Sequence, residues 1–296
     1  MDAAIDLREG GRWTLAQRAK NDVIWIGVEA SLAIATRLPE SLLLGAGRAL
    51  GAVAHAIVPS ARRIARENVR RAFPEWTERE VRSFVRRNYR RLGERLGEAV
   101  GSLDTRRAIE PLPFARGALD TLQDALAEGR GMVFASAHLG PWERVAATLV
   151  SAGLPLTAVA REAYDPRLTP IYDRLRGGRG VRVIYRSESR AAAKLLRTLR
   201  GGGMLGVPMD LASRVPSVEV PFLGHSAKTP VGPAKLALRT GAAVVVGTIG
   251  RGGMLTTTRL ETSGDALALT AKINEELSAR IRECPEEWVW MHARFV

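Results

Sequence analysis

At 296 residues, 46% apolar and 25% charged, the chain has the length of one large or two small α/β domains and the make-up of a folded protein, which excludes a stapled mini-protein, collagen and wholesale disorder. Cys284 is the single cysteine, so internal disulfides and multi-cysteine metal or iron–sulfur sites fall away, and its Glu-Cys-Pro setting resembles no nucleophile motif. Lys and Arg number 44 against 31 Asp and Glu, a formal +13 carried almost entirely by arginine. That charge calls for an anionic partner: nucleic acid, an anionic membrane surface, or an acidic carrier with phosphorylated substrates.

The first ten residues include Asp2, Asp6 and Glu9 and lack an apolar h-region, which predicts no secretory signal and a chain that stays in the cytoplasm. Two apolar stretches follow, Val23 to Thr36 and Leu42 to Val58, interrupted by Glu29 and by Arg48 and His55. Neither reaches the ~18 to 20 uninterrupted apolar residues of a spanning helix. Arg12, Arg18 and Lys20 flank the first stretch, and Trp13 and Trp25 suit the headgroup level, as in a helix lying in a membrane interface. A pair of helices buried in an α/β domain is the equal alternative.

Twelve arginines from Arg62 to Arg95, interleaved with Val81, Val85, Leu92 and Leu96 at helical spacing, predict basic amphipathic helices. Thr77 and Glu80 form a capping box that starts the second of them after Pro74. A solvated basic face accounts for such a run. Contact with membrane phosphates is the sharper account, and nucleic acid comes third because no recognised binding signature accompanies the arginines.

After Pro111 and Pro113, short apolar runs alternate with helical patterns. Strands are predicted at Met132 to Ala137, Leu156 to Arg161, Val181 to Tyr185, Met204 to Pro208, Val218 to Phe222 and Ala242 to Ile249. Helices fall at Ala115 to Glu128, Trp142 to Ser151, Pro166 to Leu175, Ser187 to Leu199, Pro230 to Thr240 and Asp265 to Glu283. The alternation predicts an α/β fold, a mostly parallel mixed sheet flanked by helices, with residues 1–110 as an N-terminal basic helical region and 111–296 as the core of one integrated domain. An active site is then expected where strands end and helices begin. The glycine-rich turns fit neither a dinucleotide nor a Walker A pattern.

His138 stands where the strand from Met132 should end, and Gly140 and Pro141 supply a turn before a helix that carries Glu143. A regular helix would rotate ~500° over five residues and splay His138 from Glu143, so only such a turn lets them meet. Glu143 in the first helical turn would then hold one imidazole nitrogen while the other takes a proton, a general-base dyad. The plainer account has His138 capping a strand and Glu143 compensating nearby arginines. His225 is placed in a loop, and His292 is placed as packed within the terminal Trp288 to His292 segment. With no GxSxG elbow and no plausible catalytic cysteine, a covalent acyl-enzyme lacks a carrier, and direct transfer to an acceptor hydroxyl is left.

Blocks in a fixed order carry a resemblance: HxxxxE from His138 to Glu143; Val159-Ala160-Arg161 with Tyr164-Asp165-Pro166; Pro208-Met209-Asp210; Val220-Pro221-Phe222-Leu223-Gly224; Thr229-Pro230-Val231-Gly232-Pro233-Ala234; and Pro285-Glu286-Glu287-Trp288 with His292, Arg294 and Phe295. Together they resemble the bacterial lipid A biosynthesis acyltransferase family, which includes late lauroyl and myristoyl transferases and mycobacterial phosphatidylinositol mannoside acyltransferases. The likeness runs from about Ala19 to Val296. It departs at Met209-Asp210-Leu211, where relatives often carry Asp-Gln-Asp, so a single acid carries over.

The resemblance implies a glycerolphosphate-acyltransferase-like fold in which His138 is the base and Glu143 its partner. Arg161 would match the family arginine at the substrate phosphate or carbonyl, Asp210 the acid of the later loop, and Arg214 a further phosphate contact. Bidentate arginine chemistry suits Arg161 to that task. Phe134, Trp142 and Phe222 are candidates for lining a hydrocarbon groove. The implied reaction moves a fatty acyl chain from acyl carrier protein or acyl-CoA to a hydroxyl of an anionic glycolipid, a lipid A precursor, at the cytoplasmic face of the inner membrane with peripheral or monotopic attachment. No resident cofactor, no metal cluster and no nucleic acid are expected. A mannosylated phosphoinositide or another polar lipid is the alternative acceptor, and a non-catalytic basic protein that binds membranes or nucleic acid is the remote one.

Overall fold

A computed structural model describes residues 12–35, 37–104 and 106–295. Four helices come first: α1 (Leu15–Ala35), α2 (Glu40–Ile57), α3 (Pro59–Ala72) and α4 (Glu78–Gly101). The capping box that starts α4 forms as its sequence predicts, with Glu80 N–H donating to Thr77 Oγ1 and Thr77 N–H to Glu80 Oε2 at 2.7 Å.

Glycines decide how α2 meets α4. Gly47 and Gly51 face Gly93 and Gly97 so closely that a Cβ on Gly51 would lie 2.1 Å from the Tyr89 carbonyl oxygen, and one on Gly93 would lie 2.1 Å from that of Gly47. Small residues four apart let two helical backbones touch. With that side of α2 against protein, Leu42, Leu50, Val53 and Ile57 stand outward on another, each more than half exposed. Val23, Ile26 and Ile34 of α1 are likewise exposed. Trp13 and Trp25 do not behave as free interfacial rings, because the Arg167 guanidinium lies 5.4 Å from the centroid of each.

The α/β part runs α5 (Ala118–Ala127), β1 (Met132–Ser136), α6 (Trp142–Ser151), β2 (Leu156–Ala160), α7 (Thr169–Gly177), β3 (Arg182–Tyr185), α8 (Ala191–Arg200), β4 (Met204–Pro208), β5 (Ser217–Phe222), β6 (His225–Pro230), α9 (Gly232–Thr240), β7 (Ala243–Ile249), β8 (Leu255–Leu260) and α10 (Ala266–Glu283). The main sheet has the order β3-β2-β4-β1-β7-β8, parallel except for β8, which pairs antiparallel with β7. This is the mostly parallel, helix-flanked mixed sheet that the alternating sequence predicts. Its central strands are buried on both faces, as Val-rich β7 shows at every residue.

Two strands escape the periodicity argument. β6 reads His-Ser-Ala-Lys-Thr-Pro and β8 reads Leu-Thr-Thr-Thr-Arg-Leu, both too polar to stand out. β5, expected within the alternation, instead leaves the main sheet and pairs antiparallel with β6 as a separate two-stranded unit. His225 therefore opens a strand rather than sitting in a loop.

The C-terminal strap from Pro285 to Phe295 is tied to the first helices by two buried asparagines. Asn88 Nδ2 donates to the carbonyls of Glu286 (2.9 Å) and Trp288 (2.8 Å), and Asn68 Nδ2 to those of Trp290 (2.9 Å) and His292 (2.8 Å). One hydrophobic cluster continues from Val69 and Phe84 through Trp290 to the strands.

Candidate active site

Because β1, β2, β3, β4 and β7 are parallel, the segments that leave their C-terminal ends gather along one edge of the sheet. His138 leaves β1, Arg161 leaves β2, Arg186 leaves β3 and Asp210 leaves β4, with β4 lying between β1 and β2. The expected strand-end placement holds.

The turn after β1 depends on glycine. Gly140 has φ 67°, and a Cβ there would lie 2.2 Å from Ile249 Cδ1. Pro141 is the residue before the first turn of α6 rather than inside it, which leaves Trp142 and Glu143 to open the helix.

His138 finds its carboxylate, but the partner is Asp210. His138 Nδ1 lies 2.9 Å from Asp210 Oδ1, and His138 backbone N–H donates to Asp210 Oδ2 at 2.9 Å. Trp288 Nε1–H adds a third bond to Oδ2 at 2.8 Å. Asp210 and Trp288 are fully buried, whereas the His138 side chain keeps 29% exposure. The ring packs edge-on against Trp142, with centroids 5.3 Å apart. A carboxylate acceptor at Nδ1 places the proton there and leaves Nε2 as the basic nitrogen.

The electrostatics agree with this geometry. Burial alone would lower the His138 pKa, but the charge and hydrogen bond of Asp210, helped by the charge of Glu143, raise it above the usual imidazole value. Burial would raise the Asp210 pKa, yet the His138 charge and the bonds from His138 and Trp288 hold it below the ordinary carboxylate value.

The orienting role that the sequence assigns to Glu143 is thus filled by Asp210, and Glu143 turns to Arg176 of α7. Arg176 Nη2 donates to Glu143 Oε1 at 2.7 Å and Nε to Oε2 at 3.1 Å, a bidentate pair with both side chains 17% exposed. Burial opposes the Arg176 charge, and the Glu143 bonds outweigh it, so the guanidinium stays cationic. The pair borders a cavity of about 80 Å³ between α6 and β1, β2 and β4, lined by Phe134, Trp142, Val145, Leu149 and Leu156 among others. Phe134 and Trp142 fit the expected apolar lining. Phe222 does not, since it is buried in the core 5.6 Å from the Trp288 ring.

Arg161 is exposed where β2 ends, and Arg214 is exposed in the segment between β4 and β5. Arg186 Nη1 donates to Ser213 Oγ at 2.7 Å, joining the exit of β3 to that same segment. His292 is half-buried near His138 and Asp210, and burial lowers its pKa. Cys284 is a poor nucleophile, because burial pushes its thiol up to about 11. No cluster of three or more metal-ligating side chains occurs among the described residues.

Arg176 and Trp288 escape the sequence reading as site residues. Trp288 lies in a quoted block, but nothing local shows that its indole reaches Asp210. Arg176 is one of many arginines, and only the placement of α7 brings it to Glu143.

The sequence matches the profile of the bacterial lipid A biosynthesis acyltransferases over residues 14–296. The chain belongs to that family. Among similar members are the phosphatidylinositol mannoside acyltransferases of Mycobacterium tuberculosis (strain CDC 1551 / Oshkosh), 31% identical over 194 residues, and of Mycolicibacterium smegmatis, 30% identical over 185 residues. These matches cover 63% and 60% of this chain, and 61% of the length of each relative. The lipid A biosynthesis palmitoleoyltransferase of Escherichia coli (strain K12) is 25% identical over 281 residues, covering 92% of this chain and 88% of that one.

Proposed function

We propose that the protein transfers a fatty acyl group from a thioester donor, acyl carrier protein or acyl-CoA, directly to a hydroxyl of an anionic glycolipid. His138 Nε2 takes the proton of the acceptor hydroxyl as its oxygen attacks the thioester carbonyl carbon. The carbon–sulfur bond then breaks, and the imidazolium returns a proton to the departing thiolate. Asp210 holds the ring and stabilises the imidazolium. Arg176, kept charged by Glu143, supplies a fixed cation beside the apolar cavity, and Arg161 and Arg214 offer guanidiniums to substrate phosphate.

The observation that carries this reading is His138 at a parallel strand end, with Nδ1 on a fully buried carboxylate and the side chain partly open to solvent. His138→Ala should lower acyl transfer by ~10²-fold or more, and retention within roughly tenfold would remove the base.

For the acceptor, a lipid A precursor is the first reading, supported by the match to the Escherichia coli palmitoleoyltransferase over 92% of this chain. A mannosylated phosphoinositide is the second reading, favoured by the 31% identity to the mycobacterial enzyme. Mass spectrometry of intact lipids from strains with and without the gene separates the two.

Attachment is proposed as peripheral or monotopic, at the cytoplasmic face of the inner membrane. No single helix among the described residues is long and apolar enough to cross a membrane. The exposed apolar side chains of α1 and α2 support insertion into one leaflet. Residues 1–110 and 111–296 are proposed to act as one integrated unit, supported by the asparagine ties to the C-terminal strap.

A further inference from the structure

β7 runs parallel to β1, so the Gly250 to Gly253 turn that follows it leaves the sheet at the same edge as His138, and Ile249 at its start lies under Gly140. This turn and the outer side of α4 enclose an open hollow of about 720 Å³, within the range of small-molecule sites. Arg48, Arg87, Arg90, Arg91, Arg95 and Arg251 line it. Facing them are Glu94, Glu283, Glu286 and Glu287, which leaves a surplus of two positive charges.

Those charges are not equally committed. Arg91 and Arg95 hold Glu287 at 2.7 and 2.8 Å, and Arg48 holds Glu94 at 2.6 Å. Arg251 is 81% exposed and only loosely paired with Glu283 at 3.8 Å. Arg87 reaches Ser83 Oγ at 2.8 Å, and neither Arg87 nor Arg90 meets a carboxylate among the described residues. The opposite wall has open backbone, because Gly252 and Gly253 carry no side chain and a Cβ on either would meet nothing within 4 Å.

The hollow also joins the candidate site through its floor. Glu287, fixed by Arg91 and Arg95, accepts the Gly140 backbone N–H at its carbonyl (2.9 Å), and the next residue, Trp288, holds Asp210. The apolar cavity beside Glu143 lies against β2 and β4, on the other side of the His138 turn from β7.

We propose that this hollow is a phosphate-binding site in which Arg87, Arg90 and Arg251 grip the phosphate ester of a substrate whose reactive end lies at His138. Arginines that line one hollow from a helix and a facing loop suit a compact group with several anionic oxygens. That the phosphate belongs to a substrate rests on the acyl-transfer reading. The same chemistry fits the phosphates of a coenzyme A donor and those of a lipid headgroup.

The test compares the full chain with an Arg87→Gln/Arg90→Gln/Arg251→Gln variant and with a control, Arg182→Gln/Arg200→Gln/Arg239→Gln. The control removes the same charge from exposed positions at the opposite edge of the sheet. Coenzyme A binding is measured by calorimetry, and lipid binding by flotation with phosphatidylcholine vesicles with and without phosphatidylinositol. The hollow variant should lose at least about tenfold in affinity for coenzyme A, or lose the phosphatidylinositol-dependent part of vesicle binding, while the control changes little. The first result assigns the donor phosphate and the second the lipid phosphate. Unchanged binding of both probes, or an equal loss in the control, overturns the site. His138→Ala run in parallel keeps the two readings apart, because it should bind both probes like the wild type and lose only acyl transfer.

Discussion

Trp288 donates its indole N–H to Asp210 Oδ2 at 2.8 Å across 78 positions of sequence, and both groups are buried. A buried carboxylate that loses one of three donors leaves an oxygen short of a partner, at a cost of ~1–3 kcal/mol. Trp288→Phe keeps the aromatic body and removes the donor. It should fold, melt at a lower temperature, and turn over several-fold more slowly than wild type. Unchanged melting and turnover would show that the indole bond holds nothing in place.

Asp210 and Glu143 should separate in pH profiles. A general base works when neutral, and Asp210 raises the His138 pKa above 6.5, so the acidic limb of kcat/KM should lie above pH 6.5. Asp210→Asn removes the main raising influence and leaves burial, which lowers the pKa. The limb should therefore move to lower pH, and the maximal rate should drop by ~10²-fold or more. Glu143→Gln removes a weaker, more distant charge, so its limb should move less, with its damage coming through the unpaired Arg176. A larger limb shift for Glu143→Gln than for Asp210→Asn would reverse the two roles.

The glycine contact between α2 and α4 predicts a large stability effect from a small change. Gly93→Ala places a methyl 2.1 Å from the Gly47 carbonyl oxygen, and backbone cannot rotate away as a side chain would. Overpacking of this kind costs ~1–3 kcal/mol or more. Differential scanning calorimetry should show a clear fall in Tm, whereas Gly27→Ala, with open space around it, should leave Tm unchanged or slightly higher.

Membrane attachment can be tested on side chains that support no core. Leu50 and Ile57 are 53% and 70% exposed, so Leu50→Glu/Ile57→Glu should keep the fold while weakening flotation with anionic vesicles at least about tenfold, given ~1.5–3 kcal/mol per buried aliphatic side chain. Binding equal to wild type would move the membrane surface away from α2.

Much of this molecule is written locally. Valine-rich runs bounded by glycine turns mark the buried parallel strands, because a strand covered on both faces must be apolar throughout, and the Thr77 to Glu80 box marks the start of α4 because its bonds lie within one turn. His138 at a strand end is legible for the same reason. β6 and β8 are not, since an edge strand or an outlying hairpin tolerates the polar residues that hide it. The partner of the imidazole is not legible either. Glu143 is near in sequence and Asp210 is 72 residues away, yet parallel pairing of β1 with β4 puts the ends of those strands side by side and delivers Asp210 to Nδ1. Placement of α7 then gives Glu143 to Arg176, and the strap tied by Asn68 and Asn88 brings Trp288 under Asp210. Sequence by itself determined the buried parallel strands and most of the helices, the histidine and the family. Tertiary structure decided which acid serves the histidine, because hydrogen bonds are settled by distances that strand order creates and chain separation does not record.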